Sequence, residues 1–330
     1  MRPFVGLTVA LAAIVLAGCG GKTTIGSGVP TPAPPFTASV TNEFAIPTAG
    51  SAPTGIVNGP DGALWFTEQN GNRIGRMTVT GAFKEYVVPT LGGQPSAITV
   101  GPDGNLWFTE SAANKIAKIT PAGTITEYAV PTFGSAPVGI TAGPDGNLWF
   151  VESNANKVGT ITTAGVVSAE YPTGSAPLSI TAGFDGALWY TEPATARIGR
   201  ISTSGSLQEF PVLTVSSGPA TITRGPDDAL WFTEVIGKIG RISVGGTVTE
   251  YASPGAGLAG ITAAADGNLY AIEGSVISTN HIDRITTSGT ITQYAVPTTA
   301  AGANMITPGP DNELYFTETS ANKIGRFAFF

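Results

Sequence analysis

Cysteine and histidine are nearly missing from this chain of 330 residues: each occurs once, as Cys19 and His281. One cysteine excludes an internal disulfide, and there is no metal-spaced set of cysteines or histidines. Charge is scarce too, at 12% of residues, and no basic run exists. Acids outnumber bases 23 to 16, a net charge of −7, which argues against nucleic acid as a partner. No window repeats apolar residues every 3.6 positions, so a helical protein is excluded. No glycine-rich phosphate loop opens a helix, and no nucleophile–base pair stands out. What the chain has instead is glycine (44) and proline (25), the punctuation of many short strands and tight turns.

The first segment stands apart. "MRPFVGLTVALAAIVLAGC" has Arg2, a short apolar run and then small residues, the layout of a secretory signal. The run is too short to span a bilayer comfortably. Its end, Leu16-Ala17-Gly18-Cys19, resembles the lipobox of bacterial lipoproteins, which implies that Cys19 is lipidated and becomes the first mature residue. The expected organisation is therefore a lipoprotein signal peptide over 1–18 and a lipidated cysteine with a Pro/Gly-rich tether over 19–39. A folded domain over 40–330 follows. Loss of Arg2 takes the mature charge to −8. The signal and the lipobox predict an extracytoplasmic, membrane-anchored location, periplasmic or at the cell surface, and Gly20, which supplies no inner-membrane retention aspartate, fits outer-face display if the organism has two membranes.

The rest is written seven times. "GPDGALWFTE" at 59–68 returns as "GPDGNLWFTE" at 101–110, and further copies end at 152, 192, 234, 273 and 318. The marker aromatics are Trp65, Trp107, Trp149, Trp189, Trp231, Tyr270 and Tyr315, which places all five tryptophans of the protein in one slot. Their spacing near 40 residues, with strand-like content, is that of propeller blades. Each period offers four strands, for example 135–143, 147–152 and 157–162, with a fourth of the type "TITEYAV" at 124–130. The fourth-strand motif appears once before the first repeat, at 41–46, and the last repeat stops after its third strand, at 323–330. Joining the two removes two exposed edges. The fold class is all-β: a seven-bladed β-propeller of four-stranded blades, the last closed by the N-terminal strand.

The pattern "GPDGNLWFTE…NKIGRIT…GTITEY…PT…SAPxGIT" resembles the virginiamycin B lyase (streptogramin lyase) family, from about residue 40 to 330. The resemblance implies a seven-bladed propeller that opens a cyclic depsipeptide by elimination, with Mg²⁺ and a histidine base. It places those histidines in the x slot of "P-x-G-I", and metal-binding glutamates beside that motif and at the end of the following aromatic strand. Here the x slots hold Thr54, Ser96, Val138, Leu178, Ala220, Ala259 and Met305. None of these takes up a proton near neutral pH.

Two groups of ionisable residues remain. Glu68, Glu110, Glu152, Glu192, Glu234, Glu273 and Glu318 end the aromatic strand of every blade. They are expected to share one mouth with the x slots, either as a metal or cationic-ligand site or as ion pairs with the Lys or Arg four or five residues on, such as Glu68 with Arg73 and Glu234 with Lys238. His281 occupies a slot that is basic in the other blades, and its blade has Tyr270 and a longer loop, 274–280. Glu273 and His281 are the weak catalytic candidates; a surface role is the alternative for His281. The turn aspartates, such as Asp61 before Gly62, are structural. The expected protein is a monomeric binding or scaffold module without a firm cofactor. It would present one rim to a small ligand or an extracytoplasmic protein, touching membrane only through its lipid. A displaced lyase site, with Mg²⁺, or a lactonase-like metal-dependent hydrolase are the alternatives.

Overall fold

A computed structural model describes residues 37–274, 278 and 280–329. Cys19 and most of the 274–280 loop lie outside the described residues. The described residues form seven four-stranded antiparallel sheets; in six of them the strands run in sequence order from one side to the other, and in the seventh the first strand of the chain lies outside the last. Blade 1 comprises Pro53–Asn58, Leu64–Glu68, Arg73–Met77 and Phe83–Val87. Blade 2 comprises Pro95–Val100, Leu106–Glu110, Lys115–Ile119 and Ile125–Ala129. Blade 3 runs through Pro137–Ala142, Leu148–Glu152, Lys157–Ile161 and Val167–Pro172, and blade 4 through Ile180–Ala182, Leu188–Glu192, Arg197–Ile201 and Leu207–Pro211. Blade 5 has Pro219–Arg224, Leu230–Glu234, Lys238–Ile242 and Val248–Ala252; blade 6 has Leu258–Ala263, Leu269–Glu273, His281–Ile285 and Ile291–Ala295. Blade 7 takes Ala303–Pro308, Leu314–Glu318 and Lys323–Phe329 from the end of the chain, and Ala38–Ala45 from its beginning. In that closure Ala45 lies opposite Lys323 and Ala38 opposite Phe329. The all-β seven-bladed reading of the sequence is what the structure shows.

Each blade follows from its repeat. The Pro-Asp-Gly turn is held by its aspartate: Asp61 Oδ1 accepts the Ala63 backbone N–H at 3.4 Å and the Trp65 indole N–H at 2.9 Å, and Gly62 takes φ +71°. A buried indole N–H needs such a partner. Where tyrosine replaces tryptophan the bond persists, from Tyr270 to Asp266 and from Tyr315 to Asp311, both at 2.9 Å. Strand two is wholly buried, as in Leu64–Glu68, while strand four alternates. The tryptophan seals the joint between blades. Trp65 of blade 1 stacks on Tyr86 at 5.5 Å and packs with Leu106 and Phe108 of blade 2. One blade alone could not bury that ring, so the array closes on itself.

Candidate functional site

The x slots stand at the start of the innermost strands, and the sequence positions them through backbone contacts. The Thr of each "WFTE" run reaches the next blade: Thr67 Oγ1 donates to the Ser96 carbonyl at 2.6 Å, Thr191 to Ala220 at 2.8 Å, and Thr233 to Ala259 at 2.6 Å. Thr317 donates to the Thr54 carbonyl at 2.9 Å and so carries the pattern across the closure. The glycine after the slot permits this approach, since a Cβ on Gly55 would stand 2.6 Å from the Ser96 oxygen.

All seven x-slot residues line one cavity of about 520 Å³. The isoleucines of the motif floor it, from Ile56 to Ile306. Polar groups are few: Thr54, Ser96, Ser179, Thr221, Thr223, Thr262 and Asn304. Met305 reaches over to Thr221, whose Oγ1 lies 3.8 Å from its sulfur. No charged side chain lines the cavity. Such a surface takes an uncharged, mainly apolar ligand and oriented hydrogen bonds from hydroxyls and backbone. It supplies no proton acceptor.

The glutamates are elsewhere than expected. Register places Pro53, Glu68, Arg73 and Val87 side by side, so these slots do share one end of the blade. Yet Glu68, Glu110, Glu152, Glu192, Glu234 and Glu318 are fully buried, and no member of the ring, Glu273 included, lines the cavity. A metal or cationic ligand at the channel entrance is not served by them. Their expected ion pairs are also replaced. Lys115 bonds Glu127 at 2.7 Å, Lys238 bonds Glu250 at 2.8 Å and Lys323 bonds Glu43 at 2.9 Å, each a glutamate of strand four. Lys157–Glu170 and Arg197–Glu209 repeat the arrangement at 3.3 and 3.2 Å. The strand-four carboxylate also clasps the preceding blade's loop: Thr90 donates to Glu127 through its backbone N–H at 2.8 Å and its hydroxyl at 2.7 Å.

Two carboxyls then share one cation, and they divide its charge unequally. Burial, with the neighbouring Glu127 second, pushes Glu110 up to about 8. Glu68 and Glu318 also rise to about 8, and Glu234 to about 7, again through burial first. Burial works on Glu127 as well, but hydrogen bonds from Lys115 and Thr90 outweigh it and hold that carboxyl below its ordinary range. The buried member is thus a proton carrier at neutral pH and the outer member an ionised clasp.

Blade 6 departs from this. Gln293 replaces the strand-four glutamate and donates to Glu273 at 2.9 Å, while His281 Nδ1 lies 3.2 Å from the same oxygen. The structure therefore brings Glu273 and His281 together, across strands two and three of blade 6, and neither lines the cavity. Asp283 completes the group and was not singled out from the sequence. It is fully buried and accepts from Ser253 at 2.5 Å.

The seven-bladed pattern agrees with comparison to known proteins. The model of the virginiamycin B lyase family matches residues 36–173 and 169–329. The chain belongs to that family. A solved streptogramin B lyase structure superposes with a TM-score of 0.83 at 38% identity, over 89% of this chain and 98% of that one. Virginiamycin B lyase from Staphylococcus aureus gives 0.82 at 39% identity, over 89% and 99%, and has also been solved as a catalytically inactive histidine-to-alanine variant with quinupristin. The virginiamycin B lyase of Bacillus licheniformis is 49% identical over 39 residues, a stretch that spans 12% of this chain and 13% of that protein.

Proposed function

We propose that this protein is a lipid-anchored, extracytoplasmic member of the virginiamycin B lyase family. In this reading it binds an uncharged ligand in its axial cavity and does not open it by elimination. The observation that carries the reading is the x-slot ring. Elimination needs a base beside the carbon that loses its proton, and a group to stabilise the charge that develops on the carbonyl. The seven residues at the innermost strand starts supply threonine, serine and aliphatic side chains only. The metal implied by the family has no better provision. The cavity wall carries no carboxylate, and the residues ahead of the motif proline are Ala52, Gln94, Ala136, Ala176 and Gly218. These donors do not fit Mg²⁺.

The test is direct. Purified protein is incubated with a streptogramin B and Mg²⁺, and the ring is followed by mass spectrometry. Binding without ring opening is expected; ring opening would overturn the reading. A second reading, a displaced lyase site, is favoured by one observation, the His281–Glu273 contact at 3.2 Å. Ring opening abolished by His281→Ala would establish it.

A further inference from the structure

The joint between blades 5 and 6 differs from the other joints. In blade 2 the corresponding joint is apolar: Val88, Phe108 and Ala117 pack in one buried cluster. In blade 1 the aromatic ring leaves strand three no room, since a Cβ on Gly75 would stand 2.1 Å from the Phe66 ring. In blade 6 these three positions hold Ser253, Ala271 and Asp283. Loss of the ring at Ala271 makes space for a carboxyl on strand three, and the aliphatic side chain from the preceding blade has become a hydroxyl. Both changes replace dry packing with oxygen.

Asp283 Oδ2 accepts from Ser253, whereas Oδ1 is buried and has no hydrogen-bond partner. A buried polar atom without a protein partner costs free energy, and an ion or a water is a group that can satisfy it. Asp283 is fully buried, so an oxygen left over there faces an enclosed space that a cation can occupy. Glu273 lies on the same face, because its partner His281 and Asp283 are two residues apart on one strand. Loop backbone closes over it: a Cβ on Gly255 would meet the Glu273 carboxyl carbon at 2.0 Å.

We propose that the joint between blades 5 and 6 binds one Ca²⁺ ion through Asp283, Ser253 and Glu273, at a site separate from the axial cavity. Among the described residues no three His, Cys, Asp or Glu side chains are placed to hold a metal ion together, so the site rests on two carboxylates, a hydroxyl and backbone oxygens rather than on a zinc-type donor set. Carboxylate, hydroxyl and backbone oxygens in irregular array suit the flexible coordination of Ca²⁺ better than the strict octahedron of Mg²⁺. With only two carboxylates the affinity belongs to the weak range of extracellular modules, on the order of 10⁻⁴–10⁻³ M. None of Ser253, Glu273, His281, Asp283 and Gln293 lines the axial cavity, so the proposal stands whatever that cavity binds.

Calorimetric titration of the full chain with Ca²⁺, beside thermal unfolding with Ca²⁺ or chelator, tests this. One ion per chain is expected, with a melting temperature that rises on addition. Asp283→Asn should weaken binding at least tenfold and remove the thermal gain. Glu110→Gln, in the ordinary blade 2, should leave both unchanged. If Asp283→Asn fails to fold, Ser253→Ala decides, with severalfold weaker binding expected. Absence of saturable binding up to about 10 mM Ca²⁺ would overturn the proposal. So would unchanged binding by Asp283→Asn or Ser253→Ala, or Mg²⁺ binding as tightly as Ca²⁺.

Discussion

The buried glutamates make stability depend on pH in a direction opposite to that of most ionised carboxylates. Glu110 has an ordinary value of 4.5 and is pushed up to about 8 in the folded protein. Between those limits the folded chain keeps a proton that the unfolded chain has released. The stabilisation is fully present below pH 4.5, falls as pH rises through the window, and is lost above about 8. The slope for one such group is about 1.4 kcal/mol per pH unit. Over the whole window that reaches about 4–5 kcal/mol, and screening by solvent at the blade end reduces the realised change to roughly 2 kcal/mol or more. Glu68, Glu234 and Glu318 act in the same sense. Since a whole domain has only about 5–15 kcal/mol in hand, the combined effect is large. The ionised partners Glu43, Glu127 and Glu250 work the other way, but only as pH falls below 4.5.

Denaturant unfolding between pH 4.5 and 8.5 measures this. Wild-type stability should decline steadily across the window. Glu110→Gln replaces the protonated carboxyl with a neutral amide, so its slope should be shallower, by about 0.6 to 1.4 kcal/mol per unit, and at pH 8 it should be the more stable protein. A flat wild-type profile would refute the reasoning. So would a Glu110→Gln variant destabilised equally at every pH, because the carboxylate would then be ionised and paired with Lys115.

Three further outcomes are expected. Asp103→Ala removes the acceptor of the Trp107 indole N–H, 3.0 Å away, and should cost about 1–3 kcal/mol in thermal unfolding. Gly75→Ala drives a methyl into the Phe66 ring and should cost about 1–3 kcal/mol or more, relieved by pairing it with Phe66→Ala, as blade 6 already pairs Asp283 with Ala271. Leu178→Asp, at a half-exposed cavity position, should leave the melting temperature within a few degrees yet abolish binding of apolar ligands, read by fluorescence of an apolar dye.

The propeller was legible because every determinant of a blade lies within one repeat. Turn aspartate, marker aromatic and strand alternation are all local, and the offset of strand four at the two ends revealed the closure. The ion pairs were not legible, because closeness along the chain misleads in a meander. Glu68 and Arg73 are five residues apart and cross-strand neighbours, which suggests a pair. The blades' cations instead lean outward to strand four, where Thr and Glu fix the geometry from two blades at once. A signal existed: a glutamate recurs in strand four of six blades and becomes Gln293 in the seventh. Asp283 was hidden for a similar reason. Its meaning lies in two simultaneous departures, glycine to aspartate and phenylalanine to alanine, on strands that only the fold sets side by side.

A site that varies among members of one fold needs positions where change costs the scaffold little, and the x slots meet that condition for a structural reason. The threonine of the neighbouring blade holds each slot through its carbonyl, as Thr233 holds Ala259 and Thr317 holds Thr54. Every residue type offers that acceptor. The side chain is not needed for that contact and projects into the cavity, and only at Thr54 does its hydroxyl add a bond to the next blade, to the Ser96 carbonyl at 3.3 Å. A base or an apolar group can stand there with the ring equally well closed. The paired glutamates are the reverse case: each joins two strands and a neighbouring loop, so a change there alters the scaffold. Chemistry in this architecture therefore belongs either to the inner strand starts or to a joint that has given up its repeat, as the joint between blades 5 and 6 has.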